Sequence, residues 1–300
     1  MAETLRSAID TFLLDAQTRG LRAQSTLTYR RQLGYFAAFA KELQVTDLDQ
    51  VTTALLRSYI VNLQTRGLRP ASIRTAGRIL RAWLNFCKAE GLLTEDADPM
   101  RRVRLPKQPR PDPDAFTAAE VHRLIEATAR SYDSLRDIAI VLCLLDTGCR
   151  INEFTMLTRG DVDMDTGAVT IRAENAKTHA RRIVYIGQRS RAALGDYMAT
   201  LPPLAPDDPL WHGMQGPLTT DGMKNFVQRL GERAGVKPCG PHRYRRTFAT
   251  WLLRDGTSPK DAAALLGHSI DELLRSYVHS NDDALAAAHA QHGPVDKLLK

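Results

Sequence analysis

Apolar positions along this chain follow two rhythms, and the first is helical. Over residues 3 to 18, Leu5, Ile9, Phe12 and Leu13 recur at the spacing of one helix face, and Gly20 stops the pattern. Ser25 opens a second stretch that runs to Leu43 with Leu33, Phe36 and Phe39 facing inward. A third spans Thr53 to Arg66 and stops at Gly67. A fourth begins near Pro70 and ends at Gly91, with Ile73, Leu80, Leu84 and Phe86 inward. Four short helices with tight loops predict a small bundle.

The helical rhythm resumes at Thr117, where Thr117 and Glu120 fit a capping box and a helix follows to about Ala129. The next helix runs from Ser134 to Thr147, is interrupted by Gly148-Cys149-Arg150, and continues from Ile151 to Leu157. The period then changes to two. Val169, Ile171, Ile183, Val184 and Ile186 predict two or three short antiparallel strands, with Lys177 in the turn between them. Helices return over about Ser190–Thr200 and Thr220–Arg233. Another starts at Pro241; if it is simply a core helix, Phe248, Trp251 and Leu252 are its buried face. Asn281-Asp282-Asp283 can cap a last helix through Ala290. The predicted class is mainly α with a small antiparallel β-sheet.

Between the two halves, Pro99, Pro106, Pro109, Pro111 and Pro113 forbid a continuous helix. Residues 99–114 are therefore read as a linker between a first domain, 1–98, and a second, 115–300. Asp161-Val162-Asp163-Met164-Asp165 opens like a calcium loop. Gly167 then comes one place late, and Arg172 stands where a bidentate glutamate is needed, so the stretch is a turn before a strand.

Composition narrows the class. Of 300 residues, 43% are hydrophobic and 25% charged, enough apolar content for a packed core. Cys87, Cys143, Cys149 and Cys239 include no C-x-x-C pair, which argues against a zinc site. No long apolar stretch opens the chain, so a reduced, cytoplasmic, nucleoid-associated protein with no membrane partner is expected. A net charge of +7 is compatible with a polyanionic partner. Much of it decorates the first domain and the linker. These arginines form either a solvated basic face or a surface that follows a DNA backbone, with Arg30, Arg74, Arg78, Arg81, Arg101 and Arg102 as candidate contacts.

The densest chemistry lies near the C-terminus. His242, Arg245, His268 and Tyr277 recur at helix-compatible spacing. Each has a plain structural reading, as a core helix, a loop residue or a surface aromatic. Together they suit attack on a phosphodiester: a phenol can be the nucleophile, a guanidinium can hold two phosphate oxygens, and imidazoles can move protons.

With Arg150 and Lys177 added, the chain resembles the tyrosine recombinases, the family of Xer-type recombinases and phage and transposon integrases. Thr147-Gly148-Cys149-Arg150-Ile151-Asn152-Glu153 is similar to that family's first arginine box. Lys177, five residues before Arg182, matches its hairpin lysine. His242-Arg243-Tyr244-Arg245 matches the His-x-x-Arg box, and Leu266-Gly267-His268 precedes Tyr277 at the family's interval. Cys149, Asn152, Tyr185 and Arg246 depart from commoner family residues without removing a catalytic group.

The resemblance implies a four-helix, SAM-like core-binding domain followed by a recombinase catalytic domain. It implies that Tyr277 attacks the scissile phosphate to form a 3′-phosphotyrosyl bond, with His242 taking its proton. Arg150 and Arg245 would clamp the non-bridging oxygens, Lys177 would protonate the departing 5′-oxygen, His268 would add a hydrogen bond, and Glu153 would orient Arg150 or His242. No metal, ATP or other cofactor is implied. The implied partner is double-stranded DNA with inverted half-sites, bound by a homotetramer that exchanges strands through a Holliday junction. The segment 282–290 would dock on a neighbouring protomer or on its own domain. A monomer in solution and an accessory protein stay open. Two other readings compete: a type IB topoisomerase, and a DNA-binding regulator without catalysis.

Overall fold

In the computed structural model, described for residues 3–94, 98–107, 115–176 and 180–277, the chain forms two compact units, Met1–Pro111 and Asp112–Lys300. For residues 275–277 the description is of the helical backbone.

The first unit contains α1 (Leu5–Thr18), α2 (Ala23–Glu42), α3 (Thr53–Thr65) and α4 (Pro70–Ala89). Thr4 caps α1 and Thr52 caps α3 through their side-chain oxygens, and Pro70 opens α4, where its missing N–H costs no helical bond. The expected start of α2 is corrected: Arg22 is the N-cap and Ser25 lies inside the helix. The core forms around Phe36, Tyr59 and Trp83, with ring centroids 5.3 and 5.9 Å from Phe36. Trp83 also donates from Nε1 to the carbonyl of Ala8, tying α4 to α1. Truncating a buried aromatic of this kind costs about 3–5 kcal/mol. Leu33, Leu80 and Leu84 are buried as the apolar rhythm predicts, while Phe39 and Phe86 are only partly covered.

Part of the expected linker packs on this unit. Met100 and Val103 are fully or nearly buried in its core. Thr53 donates to the carbonyl of Pro99, Arg57 to that of Arg102 and Arg74 to that of Pro106. In this segment Met100 and Val103 are buried while Arg101, Arg102 and Arg104 stay exposed.

The second unit opens with α5 (Ala118–Thr128), α6 (Ser134–Thr147) and the short α7 (Ile151–Thr155), which ends two residues earlier than expected. The predicted capping box is present: Glu120 accepts from the Thr117 N–H, and Thr117 Oγ1 accepts from the Glu120 N–H. Strands β1 (Ala168–Ile171) and β2 (Arg182–Tyr185) pair antiparallel, Ile171 opposite Arg182 and Ala168 opposite Tyr185. Asp163 accepts from the N–H groups of Asp165 and Thr166, which makes the rejected calcium loop a tight turn into β1. Helix α8 (Gln188–Met198) follows, and Asp146 of α6 fixes its start by accepting from Gly187 N–H and Ser190 hydroxyl.

A two-residue ribbon, β3 (His212–Gly213) and β4 (Gly216–Pro217), has no counterpart in the sequence reading, being too short to show a period. It follows Trp211, which stacks on Phe154 and donates to that residue's carbonyl at 2.9 Å. Then come α9 (Thr220–Arg233), α10 (Pro241–Arg254), α11 (Pro259–Leu266) and α12 (Ile270–Tyr277). The expected apolar face of α10 is corrected. The helix buries Arg243, Tyr244, Arg245, Thr247 and Ala249, and leaves Phe248, Trp251 and Leu252 only partly covered. Its guanidiniums find partners inside, so the charged side is the one that faces the core. Alanines 249, 262 and 263 let α10 and α11 approach, and Leu266 and Leu273 close the cluster. The helix proposed from Asn281 to Ala290 lies outside the described residues.

Candidate active site

Two left-handed turns position the site. Helix α6 ends at Gly148 (φ 55°) and α11 ends at Gly267 (φ 63°), a backbone conformation glycine adopts without the Cβ penalty. A Cβ on Gly148 would strike Phe248, and one on Gly267 would come within 3.2 Å of the Arg182 side chain. Arg150 follows the first turn and His268 the second.

Arg245 staples the two turns together. Its Nη1 donates to the carbonyl of Gly148 at 2.7 Å and its Nη2 to that of Leu266 at 2.6 Å. The same Nη2 lies 2.7 Å from His268 Nε2. The residue is only 3% exposed. Arg150 reaches across the gap as well, with Nη2 3.4 Å from the Gly267 carbonyl, and its side chain stays more open, at 18%.

Glu153 sits beneath them with its side chain 1% exposed. One oxygen accepts from Arg150 Nη1 at 3.0 Å. The other accepts from the Arg150 backbone N–H at 3.1 Å and from Arg182 Nη2. Burial alone would raise its pKa, but the Arg182 hydrogen bond and charge and the two Arg150 bonds outweigh that and hold it below the ordinary carboxylate value. The expected link from Glu153 to Arg150 is therefore present as geometry.

The histidines are poised neutral. His268 is pushed down to about 4, first by burial and then by the Arg245 guanidinium, with Glu272 pulling the other way. His242, at the first turn of α10, keeps a solvent-exposed face. Its pKa is lowered too, by crowding of protein around the ring and by the nearby charges of Arg245 and Arg150. A neutral imidazole can accept a proton, and adjacent guanidiniums can receive an oxyanion.

Of the sequence-selected residues, the structure gathers Arg150, Glu153, His242, Arg245 and His268. Tyr277 is the last residue of α12, four positions after Leu273, which is buried against α10 and α11. Position 277 thus lies one turn further along the same side of the helix. Lys177 lies outside the described residues.

The six candidate DNA contacts do not form one surface. Gln24, Ser25, Thr28 and Tyr29 of α2 line a groove with Arg78, whereas Arg30, Gly34, Ala37 and Lys41 line another with α1. At about 3.6 residues per turn these sets fall on opposite sides of α2. Arg74, Arg78 and Arg81 do share one exposed face of α4, and Arg101 and Arg102 lie beside α3 with Arg57.

Sequence reasoning missed Arg182. Its signal was parity: Arg182, Val184 and Ile186 alternate onto the inward face of β2, and a charge on that face needs a buried partner. Among the described residues, no group of three His, Cys, Asp or Glu side chains gathers as a metal site, and no helix is long and apolar enough to cross a membrane.

A helical unit thus precedes a unit that presents Arg150, Arg245 and His268 on two glycine turns. Residues 114–284 match the model of the phage integrase family, and residues 9–91 match the phage integrase N-terminal SAM-like domain. The tyrosine recombinase XerD of Corynebacterium glutamicum is 31% identical over 284 residues, covering 90% of this chain and 92% of that one. Two solved structures share the fold. The Tn1549 transposon integrase in complex with a circular intermediate DNA superposes with TM-score 0.79 at 17% identity, covering 97% of this chain and 100% of that one. A lambda integrase tetramer bound to a Holliday junction gives 0.73 at 18%, covering 93% and 80%. The chain belongs to the phage integrase family and is a tyrosine recombinase.

Proposed function

We propose that this protein is a site-specific recombinase that cuts and rejoins duplex DNA through a 3′-phosphotyrosyl intermediate. The Tyr277 oxygen attacks the scissile phosphorus while its proton passes to neutral His242. The bond from phosphorus to the 5′-oxygen breaks, and Lys177 gives that oxygen a proton. A 5′-hydroxyl from a partner strand then attacks the phosphotyrosyl ester, and the phenolate leaves and is reprotonated. No energy source is needed, because one phosphate ester replaces another. A free phenol titrates near 10, so a proton acceptor beside it is required at neutral pH.

Arg150 and Arg245 stabilise the charge that grows on the non-bridging oxygens as phosphorus becomes five-coordinate. Arg150 offers the more open guanidinium, while Arg245 spends hydrogen bonds on the turns that present it. His268 accepts from Arg245 at Nε2, so a neutral ring would donate from Nδ1. The exposed arginines of α4 follow the DNA backbone. Two such reactions in succession, carried out by a cyclic tetramer on inverted half-sites, pass through a Holliday junction.

The observation that carries this reading is the convergence of Arg150, His242, Arg245 and His268 on the Gly148 and Gly267 turns. The test is covalent trapping on a library of centrally nicked duplexes with randomised inverted half-sites. Wild-type protein should yield a protein–DNA adduct that survives denaturant, and Tyr277→Phe should yield none. Tight duplex binding with no adduct anywhere in the library would instead favour a binding-only regulator. Relaxation of plasmids that lack the recovered site would favour a topoisomerase.

A further inference from the structure

We infer that Arg182 is a positioning residue of the strand-transfer site, acting through Glu153 and through the turn that carries His268. The inference rests on the functional reading above. Arg182 is the first residue of β2, and its side chain is only 9% exposed. One guanidinium contacts parts of the site that come from two separate elements, α7 and the C-terminal end of α11. Its Nη2 donates to Glu153, the carboxylate that holds Arg150. Its Nε donates at 3.0 Å to the carbonyl of Leu265, near the negative end of α11. Its Cδ and Nη1 lie where a Cβ on Gly267 would fall within 3.2 Å, so the second glycine turn is seated directly on it.

Neither partner could be held as well by a neighbour. Glu153 is buried and faces two guanidiniums; without Arg182 it keeps only Arg150, the group it is needed to aim. The Leu265 carbonyl belongs to the last turn of α11, where helical acceptors lack intrahelical donors. Arg182 therefore joins the Arg150 side of the site to the His268 side beneath Arg245, which joins the same two turns through Gly148 and Leu266.

The charge arrangement supports the same role. Two guanidiniums, Arg150 and Arg182, pair with one carboxylate, Glu153, and a third, Arg245, is held on the carbonyls of Gly148 and Leu266. The surplus is two positive charges, which matches the second negative charge a phosphodiester gains on becoming five-coordinate. Arg182 neutralises Glu153 from below and so leaves Arg150 free to face the phosphate. Arg182 Nη1 is buried with no hydrogen-bond partner among the described residues. A guanidinium kept in place at that cost is one whose other contacts matter.

The experiment is single-turnover cleavage of the nicked duplex recovered by trapping, at saturating protein, with duplex affinity measured separately. Arg182→Gln should slow cleavage at least tenfold and leave the Kd for duplex within about twofold. Arg182→Lys, which keeps the charge and one hydrogen bond, should recover part of the rate. The double variant Glu153→Gln/Arg182→Gln removes both charges and leaves no buried carboxylate unpaired, so it also serves if Arg182→Gln folds poorly. It should cleave no more slowly than the slower single variant. Wild-type rates in Arg182→Gln, no recovery in Arg182→Lys, or losses that multiply in the double variant would each overturn the inference. An adduct with wild-type protein keeps the functional reading intact in all three cases, and its absence would sink that reading first.

Discussion

The Nη2 of Arg245 stands 2.7 Å from the Nε2 of His268, so that ring nitrogen accepts a hydrogen bond. The contact works only with a neutral imidazole. Protonating His268 would set a cation against a buried guanidinium and turn Nε2 towards Glu272, whose Oε1 lies 3.5 Å away.

A pH dependence follows. The pKa of His268 is about 4 in the fold, against an ordinary 6.5. The unfolded chain thus binds more protons between those values, and stability falls as pH falls from 6.5 through 4. Thermal unfolding of wild type and His268→Gln across that range is the check. The advantage of wild type should be largest near neutral pH and shrink towards pH 4; a constant offset would contradict it.

Arg150 and Arg245 should separate in their effects. Arg245→Ala strands the carbonyls of Gly148 and Leu266 in a buried place and should cost about 2–4 kcal/mol of stability as well as cleavage. Arg150→Ala should abolish cleavage with a smaller loss, because Arg182 still neutralises Glu153. Urea unfolding followed by circular dichroism, beside the trapping assay, tests both.

Gly267→Ala and Gly235→Ala form a matched pair. Their φ angles are 63° and 64°, so each pays a backbone cost of about 1–2 kcal/mol. Nothing lies near a Cβ at 235, whereas one at 267 meets Arg182. Gly267→Ala should therefore lose more stability and slow cleavage, and Gly235→Ala should cleave like wild type. Equal effects would show that Arg182 moves aside freely.

Arg243 should prove structural although it lies beside His242. Its guanidinium covers the Phe116 ring at 4.3 Å and donates to both oxygens of Glu120. Arg243→Ala should cost about 3 kcal/mol, and the cleavage rate of the folded fraction should stay within about twofold. A large rate loss in well-folded protein would assign it to the chemistry.

Much of this was legible along the chain. Phe12, Leu33 and Leu84 declared their helix faces by period, and Thr117 and Glu120 declared a helix start by chemistry. The run at Asp161 was read as a turn before a strand from the places of Gly167 and Arg172, and Asp163 does close a turn into β1. The α10 face misled because Phe248 and Trp251 outweighed Arg243 and Arg245 on any hydrophobic scale. That ranking assumes water as the alternative to burial, and here the alternative is a guanidinium with its donors occupied.

By itself the sequence determined most of the helices, the strand parity, the break at Gly148 and the spacing of the reactive side chains, because these depend on neighbours a few residues apart; α11 and α12 came only with the structure. Only the tertiary structure decided which donor meets which acceptor. Arg182 finds Glu153 across 29 residues, Arg245 finds Gly148 across 97, and Arg150 finds Gly267 across 117. Such meetings are set by how α6, α10 and α11 pack, and a hydrogen bond tolerates only a few tenths of an ångström of error in that packing.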